Sequence, residues 1–207
     1  MRHDDTTAHT PGGPGFASSP FTEELKERIQ SMIERALLAE SLHDLGEVMS
    51  DELHPHLCHW QMLVLADRSG GFDLIAHSGL FDADSNPLYG SWLRRVTRWL
   101  GPRLPYAQPT WMQHELLALP PEIAEGWVAW WPRGAWCIPL HDADGRRLAV
   151  VLSLLDEPPT HYLVARLEKL WCVWSRCWAY LAPTNAPHRR GPGWPAALMS
   201  LAAAWLI

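Results

Sequence analysis

The spacing of apolar residues changes several times along this chain, and each change predicts an element. Leu25, Ile29, Met32, Ile33, Ala36 and Leu37 recur every three or four residues, the one-sided stripe of an amphipathic helix. Thr22 is placed as its N-cap, with Glu23 and Glu24 in the first turn, where the helix dipole favours acids. A second helix is expected from Ser41, carrying Leu42, Leu45, Val48, Met49 and Leu53, with Pro55 ending it. The period then shortens. Residues 60–80, WQMLVLADRSGGFDLIAHSGL, predict two strands around a Ser-Gly-Gly turn. After Asn86-Pro87, LYGSWLRRVTRWL returns to helical spacing, with Leu88, Trp92, Val96 and Trp99 on one side and Arg94, Arg95 and Arg98 towards another. Residues 101–126 are broken by prolines and predict one short helix around HELLAL.

The clearest local signal is GAWCIPLHDADGRRLAVVLSLLD at 134–156. Side chains alternate across a strand, so Trp136, Ile138 and Leu140 share one face while Cys137, Pro139 and His141 share the other. Asp142 to Gly145 supplies the residues of a tight reversal. The return strand, Leu148 to Leu155, is apolar on both faces except at Ser153, which predicts an inner strand covered on both sides. Pro139 cannot donate to a ladder, so its strand must meet it at a bulge, an edge or an opening in the ladder. Thr160 then caps a helix to about Leu181, in which Leu163, Leu167, Leu170, Trp174, Trp178 and Leu181 form a coiled-coil-like seam. Tightly connected strands cannot be parallel, so the fold class is α+β, an antiparallel sheet flanked by helices.

Composition narrows the function. The 207 residues carry a net charge of −6 and show no basic stripe, against a nucleic-acid partner. Lys26 and Lys169 are the only lysines, and there are 13 tryptophans, large amphipathic rings that gain most when mostly buried. The four cysteines, Cys58, Cys137, Cys172 and Cys177, form no CxxC pair, and the N-terminus has no apolar signal core. A reducing, cytosolic setting is expected for the bulk of the chain.

The stretches ALLAESLHDLGEVMSDELHPHLCHWQMLVLAD (36–67) and AWCIPLHDADGRRLAVVLSLLD (135–156) make the chain resemble a GAF domain, a small sensory module. The resemblance covers roughly residues 22–181. It implies an antiparallel sheet with a ligand cavity between the sheet and the insertion at about 81–131. His77, Trp92, Trp111, Trp127, Trp130 and Trp136 are then the pocket candidates, with the alternative that the tryptophans fill a core. The helix carrying Leu163, Leu167, Leu170, Trp174 and Trp178 is the candidate for dimerisation and signalling.

Other constellations carry less. His54, His56, Cys58 and His59 are all metal-ligating types, but no second cluster closes a tetrahedron, so no metal is assigned. Cys137 as an attachment point for bilin or haem has the same standing, and no cofactor is assigned. Cys172 and Cys177 are rotated about 140° apart on a helix and do not form a ligand pair. Ser153 lacks a glycine elbow, and Asp142 with Asp144 sits in a turn, so no catalytic residue is named and a non-enzyme is expected.

The last segment changes the setting. Arg189 and Arg190 precede Trp194 and an uncharged run from Pro195 to Ile207. This order suits the cytoplasmic entrance of a membrane span, although the run is shorter than the roughly 20 residues a span needs. The organisation expected is a disordered leader at 1–20, the GAF-like domain at 21–182, a linker at 183–193 and the start of a transmembrane helix at 194–207. A terminal helix docked on the domain is the alternative. The combination resembles bacterial membrane-fusion proteins, the periplasmic adaptors of efflux and type I secretion, some of which carry a cytoplasmic GAF domain before their membrane helix. It implies a regulatory domain on the cytoplasmic side of the inner membrane, a homodimer, transporter or secretion-system partners and an unidentified small ligand. A ligand-free dimerisation and docking module is the competing expectation.

Overall fold

The structure, a computed structural model, describes residues 20–51, 57, 59–68, 71–79 and 85–182. The expected leader up to residue 19, the linker from 183 and the apolar run from 194 lie outside the described residues.

Two helices open the fold, α1 (Pro20–Leu38) and α2 (Leu42–Asp51). The backbone of α1 is already helical at Pro20, so Thr22 lies inside the helix rather than capping it. A proline suits a helix start, since its missing N–H would have no intrahelical partner there. Ser41 does cap α2: its Oγ accepts from the Asp44 amide at 3.1 Å.

One five-stranded sheet follows, built from β1 (Gln61–Arg68), β2 (Gly71–Gly79), β3 (Thr110–Gln113), β4 (Gly134–His141) and β5 (Arg147–Leu155). Their order is β2-β1-β5-β4-β3, and every pairing is antiparallel. The insertion between β2 and β4 contributes α3 (Pro87–Leu100) and α4 (Pro121–Trp130), and α5 (His161–Leu181) closes the described chain. Thr160 caps α5, its hydroxyl accepting from the Leu163 amide.

The sheet separates two cores. On one side Ala149 and Val151 of β5 and Trp136, Ile138 and Leu140 of β4 pack against α1, α2 and α5. On the other, Val150, Leu152, Leu154, Ala135 and Cys137 pack against α3 and α4. The alternation read from the hairpin sequence is therefore the alternation observed, and β5 is the central strand, paired with β1 and β4. Pro139 also finds its explanation. β3 covers only Gly134 to Cys137 of β4, so Pro139 lies beyond the end of β3, on a stretch whose outer edge meets no strand among the described residues.

Two further expectations need correction. HELLAL forms only a single 3-10 turn, His114–Leu116, with Leu116 exposed. The preceding residues, TWMQ, form β3 instead, because they pair with β4 as Trp111 with Trp136 and Met112 with Ala135. The helix of this region lies later, at α4, which starts on Pro121 and stops before Pro132. The buried stripe of α3 is also offset from the expected one: Leu88 is 74% exposed, and Tyr89, Trp92, Leu93, Val96 and Leu100 face the sheet.

The α3–α4 contact depends on one glycine. A Cβ at Gly126 would stand 2.0 Å from Trp92 Nε1, and Trp92 is fixed by donating to the Ile123 carbonyl at 3.2 Å. Gly126→Ala is therefore expected to destabilise the fold by about 2 kcal/mol, through overpacking that outweighs any gain in helix propensity. Equilibrium urea denaturation measures it, and an unchanged or raised midpoint would contradict the packing described.

Candidate functional site

The insertion face is the candidate site, and its chemistry is aromatic. Helix α3 presents Tyr89 and Trp92 to the sheet, while α4 and the residue after it supply Trp127, Trp130 and Trp131. Their rings meet edge-on or tilted. Trp92 lies 5.2 Å from Trp130 and 4.9 Å from Trp131, Trp127 lies 4.9 Å from Trp131, and Tyr89 lies 5.8 Å from Trp130. These are separations at which aromatic pairs attract beyond simple area burial. Trp92 is 1% and Trp127 0% exposed, whereas Trp130 remains half-buried at the outer side.

The polar handles of the fully buried rings have partners inside the cluster. Trp92 donates to the Ile123 carbonyl, Trp127 donates to the Pro132 carbonyl at 2.8 Å, and Trp131 donates to the Tyr89 hydroxyl at 3.3 Å. The Tyr89 hydroxyl in turn donates to Gln61 Oε1 on β1. Burial pushes the Tyr89 phenol above its ordinary value, against the lowering effect of its Trp131 and Gln61 bonds, so it stays a neutral donor.

The six pocket candidates do not share one wall. Trp92, Trp127 and Trp130 come together on the insertion face. His77, half-buried on β2, pairs in register with Leu63 of the insertion core and so belongs to the same face at the outer part of the sheet. Trp111 and Trp136 lie on the opposite face, as a cross-strand pair, with Trp136 edge-on to Trp171 of α5 at 5.4 Å. The period of two makes this unavoidable: Trp136 and Cys137 are adjacent and must point opposite ways. Cys137 is the residue that floors the insertion core, and burial raises its thiol far above the ordinary range, which keeps it protonated and poorly nucleophilic.

The residues of the candidate dimer seam face inward. Leu167, Leu170, Trp174 and Trp178 are buried within the chain, and half-buried Leu163 packs beside them, because α5 lies on α1 and the sheet. The three-and-four spacing marks an intramolecular core stripe. Among the described residues, this core holds buried polar atoms with no hydrogen-bond partner, including Ser153 Oγ and the indole nitrogens of Trp171 and Trp174. Of the histidine-cysteine cluster, His54, His56 and Cys58 lie outside the described residues. His59 is buried, with Nε2 3.5 Å from Ser78 Oγ.

Sequence reading missed Arg147. At the first position of β5, its Nε donates to Asp67 Oδ2 at 2.8 Å, and its Nη1 donates to the Leu104 and Pro105 carbonyls, both at 3.0 Å. Its guanidinium also lies 5.1 Å from the Phe72 ring and 5.2 Å from the Tyr106 ring. One side chain, only 10% exposed, thus ties the insertion's connecting loop to β1 and β5. The signal available was the second of two arginines, Arg146 and Arg147, at the opening of an apolar strand.

No protein-family model and no curated protein sequence matches the chain. Solved structures do match. The GAF domain of a phosphoenolpyruvate-protein phosphotransferase from Coxiella burnetii aligns at a TM-score of 0.55 and 14% identity, over 76% of this chain and 94% of that one. The equivalent domain from Acinetobacter aligns at 0.50 and 13%, over 76% and 94%. A phycocyanobilin-bound GAF domain from a cyanobacterial phytochrome aligns at 0.51 and 12%, also over 76% and 94%. At these identities the likeness establishes the fold: the chain has a GAF-like architecture.

Two expectations follow for the site. Tyr89→Phe strips the hydroxyl from its bonds with Trp131 and Gln61 and should cost about 1–2 kcal/mol, whereas Ser153→Ala, which removes an unpaired buried hydroxyl, should be neutral or stabilising; opposite signs in denaturant midpoints are the check. Arg147→Lys keeps the charge but loses the planar fork, and about 2 kcal/mol of stability should go with it. A lysine variant as stable as the parent in thermal unfolding would show that the loop is held by something else.

Proposed function

We propose that this chain is a non-catalytic regulatory module of a membrane-anchored bacterial protein, which receives a signal on its insertion face and passes it through the sheet to α5. The observation that carries this reading is the double burial of β4. Its Ala135 and Cys137 floor the aromatic cluster, while Trp136, between them, packs on Trp171 of α5. A close-packed strand cannot shift one face without shifting the other. A rearrangement of the insertion cluster therefore has a short mechanical path to α5, and a ligand acts through that path by its different affinity for two packings.

The setting proposed is the cytoplasmic face of the inner membrane, with the chain anchored by the apolar run after Trp194. Arg189 and Arg190 before that run support the orientation. No helix among the described residues is long and apolar enough to cross a membrane, and the run itself lies outside them. An efflux or type I secretion adaptor is the context that the order of segments resembles. Transporter components and a second copy of the chain are the partners proposed. Because the α5 seam is consumed internally, a dimer would use outer helix faces.

A second reading has one observation in its favour. The buried rings Tyr89, Trp92, Trp127 and Trp131 of the insertion cluster have their polar atoms already paired, which suits a ligand-free docking module. Hydrogen exchange separates the two. Trp130→Ala removes the outermost ring, which touches Tyr89 and Trp92. Transmission through β4 predicts exchange about tenfold faster in the α5 amides around Trp171 to Ser175. Acceleration confined to α3 and α4 would refute transmission and leave the docking reading.

A further inference from the structure

The outer face of α3 is cationic in an acidic protein. Arg94, Arg95 and Arg98 lie on the side opposite the buried stripe, within about 100° of helical arc. Arg103 extends the row in the 3-10 turn that follows. All four are exposed, and none forms an ion pair with an acid among the described residues. Residues 85–114 contain no Asp or Glu, while the whole chain contains 23. Glu122 and Glu125, the nearest acids in sequence on the neighbouring α4, are exposed and not ion-paired with the row. Two arginines are already oriented: Arg95 Nη1 donates to Ser91 Oγ at 3.1 Å, and Arg103 stacks 4.1 Å above the half-buried Trp99 ring while donating to the Trp99 carbonyl.

The position of this row in the fold selects its partner. The peptide just beyond Arg103 is held by Arg147 at the hairpin end of the sheet, through the Leu104 and Pro105 carbonyls. At that same end the His141 amide donates to Ser175 Oγ, 3.3 Å away, in the last two turns of α5. The chain therefore leaves α5 for the Arg189–Arg190 and apolar segment from the end of the molecule where the arginine row terminates. At this end Asp67 pairs with Arg147, Asp142 with Arg146 and Asp73 with Arg68, Asp144 and Arg176 are both exposed, and the exposed acids Glu40 and Asp44 lie on the α2 side of the sheet, across from the row.

We propose that the Arg94, Arg95, Arg98 and Arg103 face docks on anionic lipid headgroups of the membrane surface, with Trp99 at the interfacial level. This rests on the membrane-side reading above, and it adds a contact that does not depend on the apolar run. Arginine binds a phosphate with a planar fork, and a ring beside it suits the headgroup region. Docking in this way would fix the orientation of the insertion face relative to the bilayer.

The test uses the full chain and lipid vesicles. Leu198→Asp with Leu201→Asp places charges in the apolar run and opposes its insertion, so the docking face is measured without that insertion, over the constant contribution of Arg189 and Arg190. Each basic residue near an anionic surface is worth about fivefold in partitioning at low salt. The doubly substituted chain should therefore bind phosphatidylcholine–phosphatidylglycerol vesicles at least about tenfold better than pure phosphatidylcholine vesicles. That preference should collapse at high salt, where screening shortens to a few ångströms. It should also fall to the residual set by Arg189 and Arg190 when R94Q, R95Q, R98Q and R103Q are added, and fall partway with R95Q and R98Q alone, circular dichroism confirming the fold.

Equal partitioning on the two vesicle types, or a preference untouched by the arginine changes, overturns the proposal. So does tighter binding to single-stranded oligonucleotide or polyglutamate than to anionic vesicles. The anchor is judged separately: an unsubstituted chain that washes off phosphatidylcholine vesicles in alkaline carbonate contradicts the membrane anchor and leaves the arginine face standing.

Discussion

The fold depends on burying β4 and β5 on both faces at once. An antiparallel sheet can leave one face to solvent, in which case its strands alternate apolar and polar residues. Here RLAVVLSLL of β5 is apolar almost throughout, and both faces require a cover. The helices α1, α2 and α5 supply one and the insertion supplies the other. This explains why the insertion is rich in tryptophan: two short helices and connecting loops must cover a wide apolar floor, and a large ring covers more of it per residue than any aliphatic side chain. It also explains why the buried indoles of Trp92, Trp127 and Trp131 bond to the Ile123 and Pro132 carbonyls and to the Tyr89 hydroxyl, since an unpaired donor in such a place is costly.

Much of this architecture was legible in the sequence wherever one periodicity acted alone. The hairpin's alternation placed Trp136 and Cys137 on opposite faces, and the polar reversal at Asp142 to Gly145 fixed its turn. Legibility failed where local pattern and tertiary pairing disagreed. HELLAL has helix-forming residues, yet TWMQ just before it is claimed by the edge of β4, and prolines at 120 and 121 restart the chain as α4. Leu88 fits a helical stripe by spacing but lies a position away from the arc that meets the sheet, which Tyr89 occupies.

Site residues were harder to read for a physical reason. Spacing says which residues share a face of one element, but not which elements share a core. Trp111 and Trp136 were grouped with Trp92 and Trp127 by residue type, and only the layered arrangement separates them. The α5 seam shows the same ambiguity, since a stripe that packs on α1 and one that packs on a second chain have identical spacing. Arg147 left almost no trace because its partners, Asp67 and the carbonyls of Leu104 and Pro105, come from distant parts of the chain.

If double burial of β4 and β5 is what unites the molecule, the two cores cannot unfold separately. Native-state hydrogen exchange under rising urea tests this directly. The most protected amides of α3 should merge with those of α5 onto one isotherm, carrying the slope and free energy of global unfolding. Exchange of α3 and α4 through a smaller opening, several kcal/mol below the global value while α5 stays protected, would show an insertion that merely rests on the sheet.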